Sequence, residues 1–259
     1  MTTTASAKAA ALEAEGRVKR EFGKDFDPAG ASSRVAAIKA FWADYDLSNK
    51  TCLDVGAGHP TVPAVLTTMD PTVRFDGVDF APEFAVEAAE CVASLGGDVS
   101  RFRFVIADFF ELDRLASEGR LESSYDAVFL IESLHHAVQK VRLLKILTGL
   151  MTGEARMFLV EPVLPTFGRQ KAYDQSQWAR DLGYIEEPVT MSEYKRAFRD
   201  AGLTVERVTY ERSREIGPKS WKRKLLPDFL YDFYRNHVRR HWALTSFHFV
   251  CRKADGQGA

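Results

Sequence analysis

The length, composition and charge of the chain indicate a globular protein with one large core. It has 259 residues, of which 46% are hydrophobic and 27% are charged, and its formal net charge is -1. That length suits one α/β domain with embellishments. The near-zero charge gives no support for non-specific binding of nucleic acid by the molecule as a whole.

The cysteines and the apolar runs exclude further classes of protein. Cys52, Cys91 and Cys251 are odd in number and widely spaced, so neither a disulfide framework nor a zinc cluster is supported. The first residues lack the apolar core of a signal peptide. No uncharged apolar run approaches the roughly 18 residues that span a bilayer. We therefore expect a soluble, cytoplasmic enzyme that is not embedded in a membrane and holds no metal cluster.

The first 47 residues predict helices. Residues 5–22 are rich in alanine and helix-prone, and Asp27–Gly30 breaks that pattern. Ser32 or Ser33 can cap a second helix that carries apolar residues on one face. We interpret residues 1–47 as an N-terminal helical cover.

Strands and helices alternate beyond residue 50. We predict strands at residues 51–55, 73–79, 101–107, 125–131 and 155–160, and helices from Pro60 to about Met69, from Pro82 to near Gly96, and over residues 138–150. This alternation is typical of a parallel sheet covered by helices on both faces. Further along, we predict a helix at residues 192–201 and strands at residues 203–210 and 244–251.

Acidic residues lie at the predicted ends of three consecutive strands. Asp54 begins the turn Asp54-Val-Gly-Ala-Gly58, Asp79 ends the second strand, and Asp108 follows the third. Ligands of open α/β sheets bind beyond these strand ends, where a carboxylate such as Asp79 can accept both ribose hydroxyls. Each aspartate alone could cap a helix or bind a turn. Together they indicate a nucleoside site.

This ordered set resembles the class I, Rossmann-like S-adenosylmethionine-dependent methyltransferases over roughly residues 50–160. The resemblance implies an α/β fold with a doubly wound, seven-stranded, mostly parallel sheet whose last strand is antiparallel. It implies S-adenosyl-L-methionine as cofactor, with Gly56 and Gly58 lining its methionine part and Asp79 holding its ribose. Phe80 would pack near the adenine, and Asp108 would accept a hydrogen bond from the adenine amino group. The full predicted cofactor-binding set is Asp54, Gly56, Ala57, Gly58, Asp79, Phe80, Asp108, Phe109 and Ile131.

One departure from the family concerns the residues after the glycines. Many members continue with a small residue and a glycine, where this chain has His59-Pro60. A proline can begin a helix there, but the shape of the carboxylate pocket stays open. An NAD(P)-dependent oxidoreductase is the alternative, although its Gly-x-Gly-x-x-Gly pattern would require a glycine at Thr61.

The segment after the fourth strand carries the candidate catalytic residues. Its sequence, Ile131-Glu-Ser-Leu-His-His136, resembles a Glu-x-Leu-His-His run that many small-molecule members of the family carry beside the sulfonium. A histidine can accept the proton that an acceptor loses near neutral pH. We predict His135 or His136 as a base or acceptor-orienting group and Glu132 as a supporting carboxylate. Capping or packing is the alternative for either histidine. Glu161, at the end of the fifth strand, is either a further candidate or a turn residue.

The acceptor is predicted to be a small molecule. Nucleic-acid amino methyltransferases of the family usually carry an Asn/Asp-Pro-Pro-aromatic motif after the fourth strand, and this chain lacks it. Residues 212–241 contain nine basic and three acidic residues with aromatic residues between them. They predict either a cap that favours an anionic or aromatic acceptor or a solvated helix. Nucleic-acid methylation through this segment is a further alternative, as is a cofactor-binding scaffold without catalysis.

The predicted domain organisation follows from these assignments. The core spans residues 48–253, with helical insertions at 162–190 and 212–241 that form the acceptor pocket, and residues 254–259 form a disordered tail. The first insertion holds aromatic residues that could line the pocket or belong to the core, namely Phe167, Tyr173, Trp178 and Tyr184. The predicted reaction is methyl transfer with oxygen as the favoured acceptor atom, nitrogen and carbon staying open.

Overall fold

The structure, a computed structural model, describes residues 44–58, 60–167, 189–210 and 245–254. In chain order its elements are β1 (Thr51–Val55), α1 (Thr61–Met69), β2 (Arg74–Asp79), α2 (Pro82–Ser94), β3 (Phe102–Ile106), α3 (Leu112–Ser117), β4 (Tyr125–Ile131), α4 (Lys140–Leu150), β5 (Met151–Leu164), β6 (Val189–Thr190), α5 (Met191–Asp200), β7 (Leu203–Tyr210) and β8 (Thr245–Lys253). Almost all of the predicted N-terminal cover, most of the first insertion, all of the second, residues 255–259 and His59 lie outside the described residues.

All eight strands belong to one sheet. Seven of them follow the order β3-β2-β1-β4-β5-β8-β7, and the short β6 pairs with β5 off this path. β1 to β5 run parallel to one another, whereas β8 runs antiparallel to both β5 and β7. The predicted seven-stranded, mostly parallel sheet with an antiparallel last strand is therefore confirmed, and β6 is a two-residue addition.

Successive residues of a strand point to opposite faces of the sheet. Apolar residues therefore lie on both faces, and helices cover each of them. On β1, Leu53 and Val55 belong to a buried cluster that includes residues of α3, α4 and α5, among them Leu115. Cys52, which precedes Leu53 and points to the opposite face, belongs to a second cluster that includes Leu66 of α1. The doubly wound arrangement expected from the sequence is present.

The element bounds differ from the predicted ones mainly at β5. The predicted strand covered residues 155–160, whereas β5 runs from Met151 to Leu164. The two ends of β5 pair with other strands, Met151 with Tyr125 of β4 and Leu164 with Thr190 of β6. Only the middle of β5 is a continuous apolar run, so only the middle is visible in the sequence. Among the described residues, no helix is long and apolar enough to cross a membrane.

An ionic network centred on the buried Asp76 joins β2, β3 and β4. The Asp76 carboxylate accepts hydrogen bonds from Arg103 Nε at 2.7 Å, Arg103 Nη2 at 2.6 Å and the Tyr125 hydroxyl at 2.6 Å. Burial, together with the hydrogen bond to Asp76, raises the pKa of Tyr125, so its hydroxyl stays a donor. Replacing a carboxylate that accepts this many hydrogen bonds costs folding free energy, because its donors lose their charged acceptor.

We expect Asp76→Asn to lower the free energy of unfolding by about 2 kcal/mol, since the amide cannot match the charge of Arg103. Equilibrium urea unfolding measures the change. The control is Asp113→Asn, an exposed aspartate on α3, for which we expect a change within about 0.5 kcal/mol. Equal effects of the two substitutions would show that the network contributes nothing.

Candidate active site

The turn between β1 and α1 is anchored to the end of β2. Gly56 has φ +70° and Gly58 has φ +46°, conformations that favour glycine. The N–H groups of Gly56 and Ala57 donate to the Val78 carbonyl at 2.8 and 3.1 Å. The Gly58 N–H donates to Asp79 Oδ2 at 2.9 Å. The predicted glycine turn and the predicted ribose-binding carboxylate are therefore in direct contact.

The two glycines of this turn face different surroundings. A Cβ on Gly56 would lie 2.5 Å from the Cβ of Ser133, on the loop after β4. A Cβ on Gly58 would meet no heavy atom of the described, non-adjacent residues within 4 Å. Gly56 therefore permits close packing of two loops, whereas Gly58 borders open space in which a ligand could approach the backbone.

Two buried carboxyl groups lie beside this turn. Asp79 accepts N–H groups from Gly58 and, at 3.0 Å, from Ala81. Asp54 is 3% exposed and has neither a hydrogen-bond donor nor an ion-pair partner among the described residues. Burial, and the nearby charge of Asp79, raise the pKa of Asp54 to about 7. A cationic ligand beside Asp54 would compensate its charge.

This raised pKa predicts how stability depends on pH. The folded state holds a proton on Asp54 that the unfolded state has already lost above its ordinary value of 3.8. The contribution of Asp54 is therefore complete below about pH 4 and is lost as pH rises through 7, by up to about 4 kcal/mol. Asp54→Asn removes this loss. We expect the variant to exceed the parent in unfolding free energy most at pH 8.5, less at pH 5, and little at pH 4. Identical pH profiles in urea unfolding would contradict the assignment.

The aromatic residues after β2 and β3 form a neighbouring pair. Phe80 and Phe109 are half-buried, with ring centroids 6.1 Å apart and ring planes at 80°. Asp108 caps the short 3-10 turn that begins at Phe109 and accepts the Phe110 N–H at 3.0 Å. Asp108 therefore has the capping role that the sequence offered as the alternative to ligand binding. Its side chain still lies at the strand end where the adenine is predicted to bind.

The loop that follows β4 forms hydrogen bonds with both β1 and β5. Glu132 has φ +53°, which is unusual for a residue with a Cβ, and its N–H donates to the Val160 carbonyl at 2.7 Å. The Ser133 hydroxyl donates to the Val55 carbonyl at 2.8 Å. Ile131, half-buried, packs against the cluster that includes α1 residues. The Glu132 side chain is exposed.

Glu161 holds this loop in place. Its carboxylate is fully buried, and Oε1 accepts the N–H groups of Ser133 at 3.1 Å and Leu134 at 2.7 Å. Oε2 lies 3.2 Å from the backbone N of His135 and 2.8 Å from its ring Nδ1. The Tyr194 hydroxyl lies 3.4 Å from the same oxygen. The sequence left Glu161 open between a site residue and a turn residue, and the structure makes it the anchor of the loop.

This contact fixes the tautomer of His135. A carboxylate only accepts hydrogen bonds, so Nδ1 is the nitrogen that carries the proton and Nε2 is left as a possible base. His135 is 5% exposed, and the half-buried His136 lies with its ring centroid 4.0 Å away. The structure thus brings both predicted histidines together, with the orienting carboxylate behind His135.

Other predicted features are only partly covered by the described residues. The basic segment 212–241 and three of the four aromatic candidates, Tyr173, Trp178 and Tyr184, lie outside them. Phe167 is exposed. Within the described ranges no group of three or more potential ligands could hold a metal ion.

Comparison with known proteins connects this geometry with a family. Residues 53–157 match a family model described as a methyltransferase domain. The mitomycin 7-O-methyltransferase MmcR has a TM-score of 0.55 at 20% identity, with 86% of this chain and 55% of MmcR covered. This chain thus spans little more than half of MmcR. No curated protein matches the chain.

Two further solved structures are similar over nearly the whole chain. A chain from the complex between the Haloferax volcanii Trm112 methyltransferase activator and a methyltransferase has a TM-score of 0.66 at 17% identity, with 95% of this chain and 97% of that one covered. A proposed O-methyltransferase from Nostoc punctiforme has a TM-score of 0.62 at 18% identity, with 95% and 67% covered. At these identities the likeness shows the fold.

Proposed function

We propose that this chain is a class I, S-adenosylmethionine-dependent methyltransferase that methylates a small molecule, with oxygen as the favoured acceptor atom, because residues 53–157 match the model of a methyltransferase domain. The observation that carries this proposal is the contact between Glu161 and His135 on a loop packed against Gly56. The fold of MmcR, a 7-O-methyltransferase, supports oxygen as the acceptor atom.

The described residues fit S-adenosyl-L-methionine on two counts. Gly58 leaves open space beside the turn, and the buried Asp54, which has no donor or ion-pair partner in the described part of the chain, is suited to a positive group such as the cofactor's ammonium. We propose that Asp79 accepts the ribose hydroxyls and that Phe80 and Phe109 contact the adenine. When bound, the cofactor supplies a methyl group on a positively charged sulfur.

His135 is the proposed general base. Its Nε2 would take the proton from the acceptor, and Glu161 would hold the ring and stabilise the positive charge that forms on it. This base-and-orienter pairing is the arrangement by which buried histidines are activated in many enzymes. His136 and Glu132 remain proposed acceptor-orienting groups on the same loop.

The insertions are proposed to form the acceptor pocket, with residues 212–241 selecting an anionic or aromatic acceptor. The absence of an Asn/Asp-Pro-Pro-aromatic motif after β4 disfavours a nucleic acid. Replacing Lys222, Arg223 and Lys224 together with alanine is expected to raise the KM of an anionic acceptor at least about tenfold while kcat changes little. Steady-state kinetics measure this, and an unchanged KM would remove the segment from the acceptor site.

Calorimetric titration of the purified protein tests the cofactor assignment. We expect S-adenosylhomocysteine to bind and NAD to produce no binding heat. The parallel test of the acceptor class uses a collection of small hydroxylated aromatic molecules with radiolabelled S-adenosylmethionine. Binding of NAD in preference to S-adenosylhomocysteine would favour an oxidoreductase and would contradict the proposal.

A further inference from the structure

We propose that the cofactor binds this domain with release of a proton from Asp54, so that cofactor affinity falls as the solution becomes acidic. The inference rests on the proposed function, in which the cofactor's ammonium lies beside Asp54. The proton passes to the buffer, and the ionised carboxylate then pairs with the ammonium. No other bond forms or breaks.

The position of Asp54 carries the inference. It lies in the middle of the sheet on β1, in register with Gly77 of β2 and Phe129 of β4. The side chains of Asp54 and Cys52 point to the same face of β1, and Cys52 belongs there to a buried cluster of apolar residues. A carboxyl group in such surroundings is costly to ionise unless a cation comes close.

The charged groups around Asp54 reinforce this cost. On β2, the charged group that acts on Asp54 is the Asp79 carboxylate, which is also negative. Its own strand contributes the buried thiol of Cys52, and α1 has no acidic residue in its first turn and no basic residue in its last turn. The register neighbour on β4, Phe129, is uncharged. No cation among the described residues is close enough to ionise Asp54.

The same features separate Asp54 from Asp79. Asp79 accepts a backbone N–H at each of its two oxygens, so its charge is already compensated by donors. Asp54 has no donor among the described residues, and burial with the charge of Asp79 raises its pKa to about 7. Near neutral pH Asp54 is therefore half protonated before a ligand arrives, and a cation displaces that proton.

Calorimetry of S-adenosylhomocysteine binding in pairs of buffers with different ionisation enthalpies, phosphate and imidazole at the two lower pH values and Tris and bicine at the highest, counts the protons released. We expect about 0.9 proton at pH 6, about 0.5 at pH 7 and fewer than about 0.1 at pH 8.5. The affinity should be about tenfold weaker at pH 6 than at pH 8.5. Wild-type protein that releases no proton at any of the three pH values would overturn the proposal.

Two controls assign the proton. Asp54→Asn should release none, whereas Asp113→Asn, exposed on α3, should match the parent. Methylthioadenosine lacks the amino-acid part of the cofactor and should bind without releasing a proton. Release that persists in Asp54→Asn would overturn the assignment. If that variant fails to bind, the pH series of the wild type decides alone.

This test is independent of the proposed methyl transfer. The calorimetry contains no acceptor, so a failed search for a methyl acceptor would not change its result. Conversely, a lack of proton release would not contradict methyl transfer.

Discussion

Replacing Gly56 with alanine is expected to lower the free energy of unfolding by at least about 3 kcal/mol. The new Cβ would lie 2.5 Å from the Cβ of Ser133, and φ is +70° at this position. Ser133 cannot move away freely, because its hydroxyl and its N–H are both bonded, to Val55 and Glu161 respectively. The substitution should therefore separate the turn between β1 and α1, the proposed cofactor site, from the loop that carries the histidines.

Gly58→Ala is the matched comparison. Its φ is +46°, but the added methyl group would meet no heavy atom of the described, non-adjacent residues within 4 Å. We expect a loss of only about 1 kcal/mol in unfolding free energy from the backbone conformation. The methyl group should weaken S-adenosylhomocysteine binding at least about tenfold, because it fills the proposed ligand space. Urea unfolding and calorimetry separate the two effects. A stable Gly56→Ala protein, or a Gly58→Ala protein with normal binding, would contradict this division of roles.

Glu161→Gln is expected to lower kcat for methyl transfer at least about 100-fold, with the KM of the acceptor changed by no more than about threefold. The glutamine amide can donate to Nδ1 of His135. That would move the imidazole proton to Nε2 and remove the proposed base. His135→Gln should cause a comparable loss, because it removes the same group directly.

The control for this prediction is Glu154→Gln, the same substitution at an exposed position of the same strand. We expect its kcat to stay within about twofold of the parent. Binding of S-adenosylhomocysteine by the Glu161→Gln protein verifies that the cofactor site is intact. A normal kcat in Glu161→Gln would show that Glu161 only supports the loop.

The sheet could be predicted from the sequence because its central strands are short apolar runs that end in glycine or acidic residues. The bounds of β4 and β7 agree with the predicted ranges 125–131 and 203–210. The helix α3 was not predicted. It has six residues, of which only Leu112 and Leu115 are buried, so it is too short to show a helical period.

The role of Glu161 could not be predicted because its partners are distant in the chain. It bonds residues that are 26 to 28 positions away, and in sequence it is simply an acidic residue before a proline. Gly77 likewise carries no signal in the sequence. In the sheet a Cβ there would lie 2.7 Å from the ring of Phe102. At both positions the required residue depends on contacts with distant parts of the chain, which form only once the strands are in register.

The most direct test of methyl transfer to a small molecule is to incubate the protein with S-adenosylmethionine carrying a labelled methyl group and a mixture of small hydroxylated molecules. Chromatography with mass spectrometry then identifies any product. We expect the label on one class of small molecule, attached at oxygen, and its loss in Glu161→Gln but not in Glu154→Gln. Label that is transferred only to added RNA or DNA, or to nothing while the cofactor is bound, would contradict the proposed function.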